Sequence, residues 1–215
     1  MRLIRMIIAP RSMSRELLAE TSLLWPLIIV LILGLISSIG FYISYLLHAY
    51  PPPQEMIEAW GKFAMLPFFN IPAEQYRLFL AIIMVPFLLA LWVLMAGLAN
   101  LLSRLLGGKV TFKQYLILFA YSFFSFYLIA SLLDFIYSGL MFNLIMRALR
   151  NEFGPAIRQG FILYPMIFWP AALGLAGIYN GIVCQEGEGW AFWKSFLVAA
   201  FTFALPMIAI SLTLR

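Results

Sequence analysis

Few side chains in this 215-residue chain could do chemistry. Asp134 is the only acid in the apolar stretch from Gln114 to Met146, where a carboxylate could carry a proton or coordinate an ion. The uncharged residues 114–133 precede it, so it falls at the end of a segment, where an aspartate ordinarily meets head groups. His48 is the only histidine, which leaves it without a second histidine for haem or a two-histidine metal site. Cys184 is the only cysteine, so neither an internal disulfide nor a cysteine-based metal centre can form. Without a His-Asp context it reads as a small packing residue rather than a nucleophile. Asn100 and Asn180 could bond across helices. The chain contains no Gly-rich phosphate loop, Gly-x-Ser-x-Gly, His-Glu-x-x-His or paired intramembrane aspartates. The expectation is a protein that is not an enzyme and that uses no cofactor and no metal.

The elements that position these residues follow from the charge pattern. Uncharged, mostly apolar runs occupy 21–47, 78–103, 114–133, 159–185 and 195–214. A bilayer core of ~30 Å needs about 20 helical residues at ~1.5 Å each, and every run is that long. Composition agrees, with 64% hydrophobic and 11% charged residues against roughly a quarter charged in soluble domains. The fold class is therefore all-α: a polytopic integral membrane protein, a bundle of five transmembrane helices at about 21–47, 78–103, 114–134, 160–183 and 191–213. Residues 1–20 form a basic N-terminal segment and 21–215 the membrane domain, with no room for a separate soluble domain. Short interfacial helices are expected over 54–66, where Trp60 would sit at head-group depth, and over 140–153, which could equally extend span three or form a re-entrant hairpin.

Orientation rests on the basic residues. Arg2, Arg5, Arg11 and Arg15 break up the first apolar cluster, so the N-terminus reads as the flank of a signal anchor rather than as a cleavable signal peptide. They favour a cytoplasmic N-terminus. Arg104, Lys109, Lys113 and Lys194 then fall on the same side, and Lys62, Arg77, Arg147, Arg150, Arg158 and Arg215 on the other. The net charge of +5 is spread over span ends, which points to lipid head groups and away from nucleic acid.

Small residues are expected to mark helix contacts, because lipid tails are as apolar as leucine and close approach of backbones drives association. Gly174, Gly177 and Gly181 lie along one face of span four; Gly34 with Ser38, and Ala96 with Asn100, repeat the spacing on spans one and two. A neighbouring helix should pack into the span-four groove, with Phe168, Tyr179 and Ile182 turned away from it towards lipid or a second protein.

The stretch Leu105-Leu106-Gly107-Gly108-Lys109-Val110-Thr111-Phe112-Lys113, followed by Ala120-Tyr121-Ser122, resembles the central signature of the YIP family. These are five-span membrane proteins named for interaction with Ypt/Rab GTPases in eukaryotes. In the family pattern a Gly-Gly-Lys loop and a Phe-Lys/Arg pair enter the third span, and a Tyr-Ser is followed closely by proline. Ser125 stands about where that proline is expected, and the eukaryotic Asp-Leu-Tyr-Gly-Pro motif is absent, so the chain is similar to compact prokaryotic members. Rab binding does not carry over: Gly107 and Gly108 are expected to permit a tight turn, and Lys109 and Lys113 to hold it at an anionic leaflet.

The functional expectation is a non-catalytic protein of the prokaryotic cytoplasmic membrane that organises, stabilises or recruits other membrane proteins. Its partners would be membrane lipids and other integral membrane proteins, with a homo-oligomer also open. The alternative is a small transporter or channel, which would need polar groups along a pathway or an inverted repeat.

Overall fold

The computed structural model describes residues 5–6, 8–46, 73–134, 136–137 and 155–213. The expected interfacial helices at 54–66 and 140–153, and His48, lie outside the described residues. Within them the fold is all-α. Helix α1 (Pro10–Leu18) is short; α2 (Leu24–Leu46), α3 (Ala73–Leu105), α5 (Pro155–Glu188) and α6 (Phe192–Thr213) are long. Helix α4 runs Phe112–Asp134, its first part (Phe112–Phe119) leading into a π turn at Ala120–Phe124.

Among the described residues three stretches are long and apolar enough to cross a membrane: Leu24–Ile43, Leu78–Leu105 and Phe112–Asp134. A shorter apolar stretch, Phe192–Ala204, lies on α6. The first two bury only 28% and 22% of their apolar window inside the chain, whereas the third buries 67%. Helix α4 is therefore the central one. A lipid-facing helix keeps its large apolar side chains outward, as with Ile82, Val93 and Leu101 on α3.

Helices α2 and α3 pack as one pair and α5 and α6 as another, with α3 also meeting α4 and α6. The π turn touches both α2 and α5. Aromatic side chains on α4 reach these neighbours: Phe123 meets Phe203 of α6 at 5.8 Å between ring centroids, and Phe126 meets Tyr179 of α5 at 4.3 Å. Tyr179 thus turns inward onto α4 rather than outward to lipid.

Helix α1 is amphipathic and docks beneath the bundle against α5 and the start of α4. Met13 and Leu17 are fully buried, while Arg11 and Arg15 stay on the outer face. Pro10 at its first turn costs no helical hydrogen bond, since that N–H would have no partner anyway.

The closest helix approach involving a glycine lies between α2 and α3. A Cβ on Gly34 would stand 3.1 Å from the Val85 Cα, tighter than side chains normally tolerate. On α5, Gly181 faces the Ala199 methyl at 3.8 Å, but no described atom lies within 4 Å of the Cβ positions of Gly174 and Gly177. Among the described residues the buried face of α5 is Ala176, Asn180, Gly181, Val183 and Cys184, so Gly181 packs inside the chain while Gly174 and Gly177 do not.

Candidate functional site

The polar chemistry of the described chain gathers at the end of the bundle where α3 turns into α4. Helix α3 closes with a Schellman arrangement: the Gly107 N–H reaches the Arg104 carbonyl at 3.2 Å and the Gly108 N–H reaches the Ser103 carbonyl at 2.8 Å. Gly107 adopts φ +79°, a left-handed conformation that glycine enters without penalty. Gly108 does not share it. Its requirement is space, because a Cβ there would lie 2.6 Å from Oε1 of Glu188 and would also overlap the Ser103 hydroxyl. Both glycines thus take part in the turn, but for different reasons: Gly107 sets backbone direction, and Gly108 also admits a carboxylate.

That carboxylate belongs to the last residue of α5. The Ser103 hydroxyl donates to Oε1, and Tyr115 donates its hydroxyl to the same oxygen at 2.8 Å. The Lys109 N–H donates to Oε2 at 2.5 Å, and the Val110 N–H lies 3.2 Å from both oxygens. Both side-chain donors are fully buried residues. Four donors from α3, the loop and α4 thus converge on one charged acceptor, and hydrogen bonds to an ionised group are about twice as strong as neutral ones.

The surrounding loop is tied down as firmly. Thr111 caps α4 through a reciprocal pair: its hydroxyl accepts from the Gln114 N–H at 3.3 Å, and Gln114 Oε1 accepts from the Thr111 N–H at 2.8 Å. Gln114 Nε2 also donates to the Leu18 carbonyl at 3.1 Å, fastening the end of α1. Asn100 donates to the Val110 carbonyl at 3.0 Å, and buried Trp92 to the Leu116 carbonyl at 2.8 Å. Arg15 meets Glu186 at 2.8 Å, and Arg11 lies 3.6 Å from the same carboxylate.

The expected motif residues therefore divide. Gly107 and Gly108 act as described. Lys109 contributes its backbone N–H, and Lys109, Phe112 and Lys113 are exposed around the loop. Tyr121 and Ser122 lie more than two turns deeper, inside the π turn, where Ser122 donates to Asn180 Oδ1 at 2.5 Å in a fully buried setting. Ser125 closes that turn: its N–H and its hydroxyl both reach the Ala120 carbonyl, five residues back. Asp134 ends the apolar stretch of α4, half-buried and far along the chain from the loop. Cys184 is fully buried on α5, one turn before Glu188. Among the described residues no cluster of three or more histidine, cysteine or acidic side chains could hold a metal ion.

A family model described as the Yip1 domain matches residues 4–210, nearly the whole chain. The chain belongs to the Yip1 domain family. Comparison with curated proteins and with solved structures returned no match. In this Yip1 domain the Gly-Gly-Lys signature is the seat of a carboxylate delivered from the far end of the sequence. Reading the sequence missed Glu188, Ser103 and Tyr115. One signal was available: Glu186 and Glu188 occupy the last turn of a helix, where the macrodipole disfavours negative charge. Acids there call for compensating donors, and the basic α1 and the glycine loop supply them.

Proposed function

We propose that this Yip1-domain chain is a non-catalytic membrane protein that organises, stabilises or recruits other membrane proteins. Its motif end and α1 would lie on the cytoplasmic side of a prokaryotic cytoplasmic membrane. The observation that carries the reading is where the signature spends its polar groups. Glu188, the loop N–H groups and the Tyr115 hydroxyl are used on one another, which builds a rigid end rather than a site with free acid, base or nucleophile. Meanwhile the Gly174–Ile178 part of α5 presents Leu175 and Ile178 outward beside two glycines with open space, a surface suited to another helix. Purification in mild detergent followed by native mass spectrometry tests this. A stable complex with another integral membrane protein is expected, and a chain recovered alone under conditions that preserve known membrane complexes argues against it.

A second reading, a small transporter or channel, has one specific observation in its favour. Among the described residues Asn180 Nδ2 and the Ser195 hydroxyl are buried without a hydrogen-bond partner, and Asn180 meets, through Ser122, a π turn of the kind that recurs at functional sites. Solute flux through liposomes holding this protein alone would favour that reading over the first.

A further inference from the structure

The cations at the motif end of the bundle fall into two groups. Arg5 pairs with Glu16 at 2.5 Å, and Arg11 and Arg15 meet Glu186 at 3.6 and 2.8 Å. Arg104, Lys109, Lys113 and Lys194 are exposed, and among the described residues their side chains make no ion pair and no hydrogen bond. The remaining acids at this end are engaged elsewhere. Glu188 is held by the loop and by Tyr115, and Glu20 accepts the Ser22 N–H at 3.4 Å. Glu74 and Asp134 belong to the opposite ends of α3 and α4. The basic N-terminal segment is thus neutralised within the protein, and the unbalanced positive charge stands around the turn from α3 to α4 and at the start of α6.

An apolar strip runs into this charge. Leu94, Gly97, Leu101 and Arg104 follow one another along one face of α3, and Leu94 and Leu101 are exposed on a stretch that can cross a membrane. The exposed Phe112, first residue of α4, lays its ring 3.9 Å from the Cβ position of Gly97 and so walls the strip on one side. Arg104 comes one turn beyond Leu101, where a strip that faces hydrocarbon reaches the head groups. Exposed Trp25 at the start of α2 and Trp193 beside Lys194 are the aromatic residues that such a level attracts.

We infer that this flank of α3 and α4 holds one phospholipid of net negative charge. Arg104 takes two oxygens of its phosphodiester, Lys109 and Lys113 add charge beside it, and an acyl chain lies along Leu94, Gly97 and Leu101. A planar guanidinium suits the two free oxygens of a phosphodiester, and the lysines act as point charges. Selection among lipids follows from the sign of the rest of the head group. A zwitterionic lipid brings its own cation among these three, whereas an anionic one does not.

The test offers the full chain, in mild detergent, an equal mixture of phosphatidylglycerol and phosphatidylcholine with matched acyl chains. Native mass spectrometry then counts the lipid adducts. The first bound lipid should be phosphatidylglycerol over phosphatidylcholine by roughly tenfold or more, since a single cation near an anionic head group gives about fivefold. Arg104→Gln should lower that preference by about fivefold and Lys113→Gln by about threefold. Lys194→Gln, on another helix, should change it by less than about twofold. Thermal melting without lipid should be the same for all three variants as for the unaltered chain, because these side chains bond to nothing else described. If Arg104→Gln melts early, Lys113→Gln carries the test alone. No preference in the unaltered chain would overturn the inference. So would equal losses from Lys194→Gln and Arg104→Gln, the mark of a diffuse surface charge rather than a seat. Millimolar inorganic phosphate should leave phosphatidylglycerol bound; its displacement would show a site for free anions and would overturn the lipid assignment.

Discussion

Glu188 and Asn180 lie two helical turns apart on α5, and their surroundings are opposite in kind. The carboxylate at the helix end takes four donors from three elements, two of them backbone N–H groups. The carboxamide, deeper in the bundle, accepts from Ser122 and has nothing among the described residues to receive its own N–H₂. Near an interface a chain can recruit loop backbone to satisfy a charge, because turns expose N–H groups there. Inside the bundle every backbone group is already used by its own helix, so a polar side chain depends on whatever side chain faces it. The difference teaches where rigidity comes from: the motif end is fixed by saturated polar contacts, the interior by aromatic and aliphatic packing with one loose polar pair.

Breaking the saturated end should give the largest effect. Gly108→Val places a branched side chain where the Glu188 carboxylate lies and should lower stability by about 3 kcal/mol, through overpacking and loss of the carboxylate contacts together. The check is thermal melting of the detergent-solubilised chain, with Gly107→Ala as a comparison that strains only the backbone.

Glu188→Gln sharpens the assignment by keeping shape and removing charge. An amide N–H₂ facing the loop N–H groups cannot accept from both, so a loss of about 2 kcal/mol is expected. A melting temperature unchanged from the native chain would mean that the charge contributes nothing to the lock.

The interior pair should behave differently. Replacing both partners, Ser122→Ala with Asn180→Leu, removes an incompletely satisfied polar contact and should change stability by under about 1 kcal/mol, while Asn180→Leu alone strands the Ser122 hydroxyl and costs more. A double-mutant cycle in detergent measures this directly. If the double variant abolishes a reconstituted flux while keeping its fold, the pair serves transport rather than packing.

The smallest effect on the isolated chain is expected at the open glycines. No described neighbour lies within 4 Å of the Gly177 Cβ position, so Gly177→Leu should leave melting nearly unchanged, yet should lower recovery of any complex that uses this face. Ile178→Leu, on the same exposed turn, should leave both unchanged. A large melting shift for Gly177→Leu without loss of complex would place the contact inside the chain.

Helical class was legible because a bilayer forces long uncharged runs, a constraint visible without tertiary information. The turn at Gly107 was legible because left-handed backbone is a local property. The second role of Gly108, leaving room for a carboxylate, is not legible locally, since that neighbour lies 80 residues later in sequence. Glu188 was overlooked for the same cause: donors and acceptor come together only when α5 docks on α4. On α5 the glycine spacing is conspicuous, but only Gly181 of the three lies on the packed face with Ala176, Asn180 and Val183, and alanine among leucines does not stand out in the sequence. Tyr179 was assigned outward on helical phase alone; Phe126, on another helix, decides its direction.

Helix α1 also sets a schedule for synthesis. Its Arg15 pairs with Glu186, 171 residues later, and Leu18 reaches the backbone turn that holds Glu188 through Gln114. At ~5–20 residues per second the ribosome needs about ten to thirty seconds to deliver that seat. For that interval the apolar side of α1, with Met13 and Leu17, has been made but has nowhere to dock. Its closure onto α5 therefore waits until α5 has been made, and a nascent chain stalled before α5 should still expose these residues to a protease, whereas the finished protein hides them.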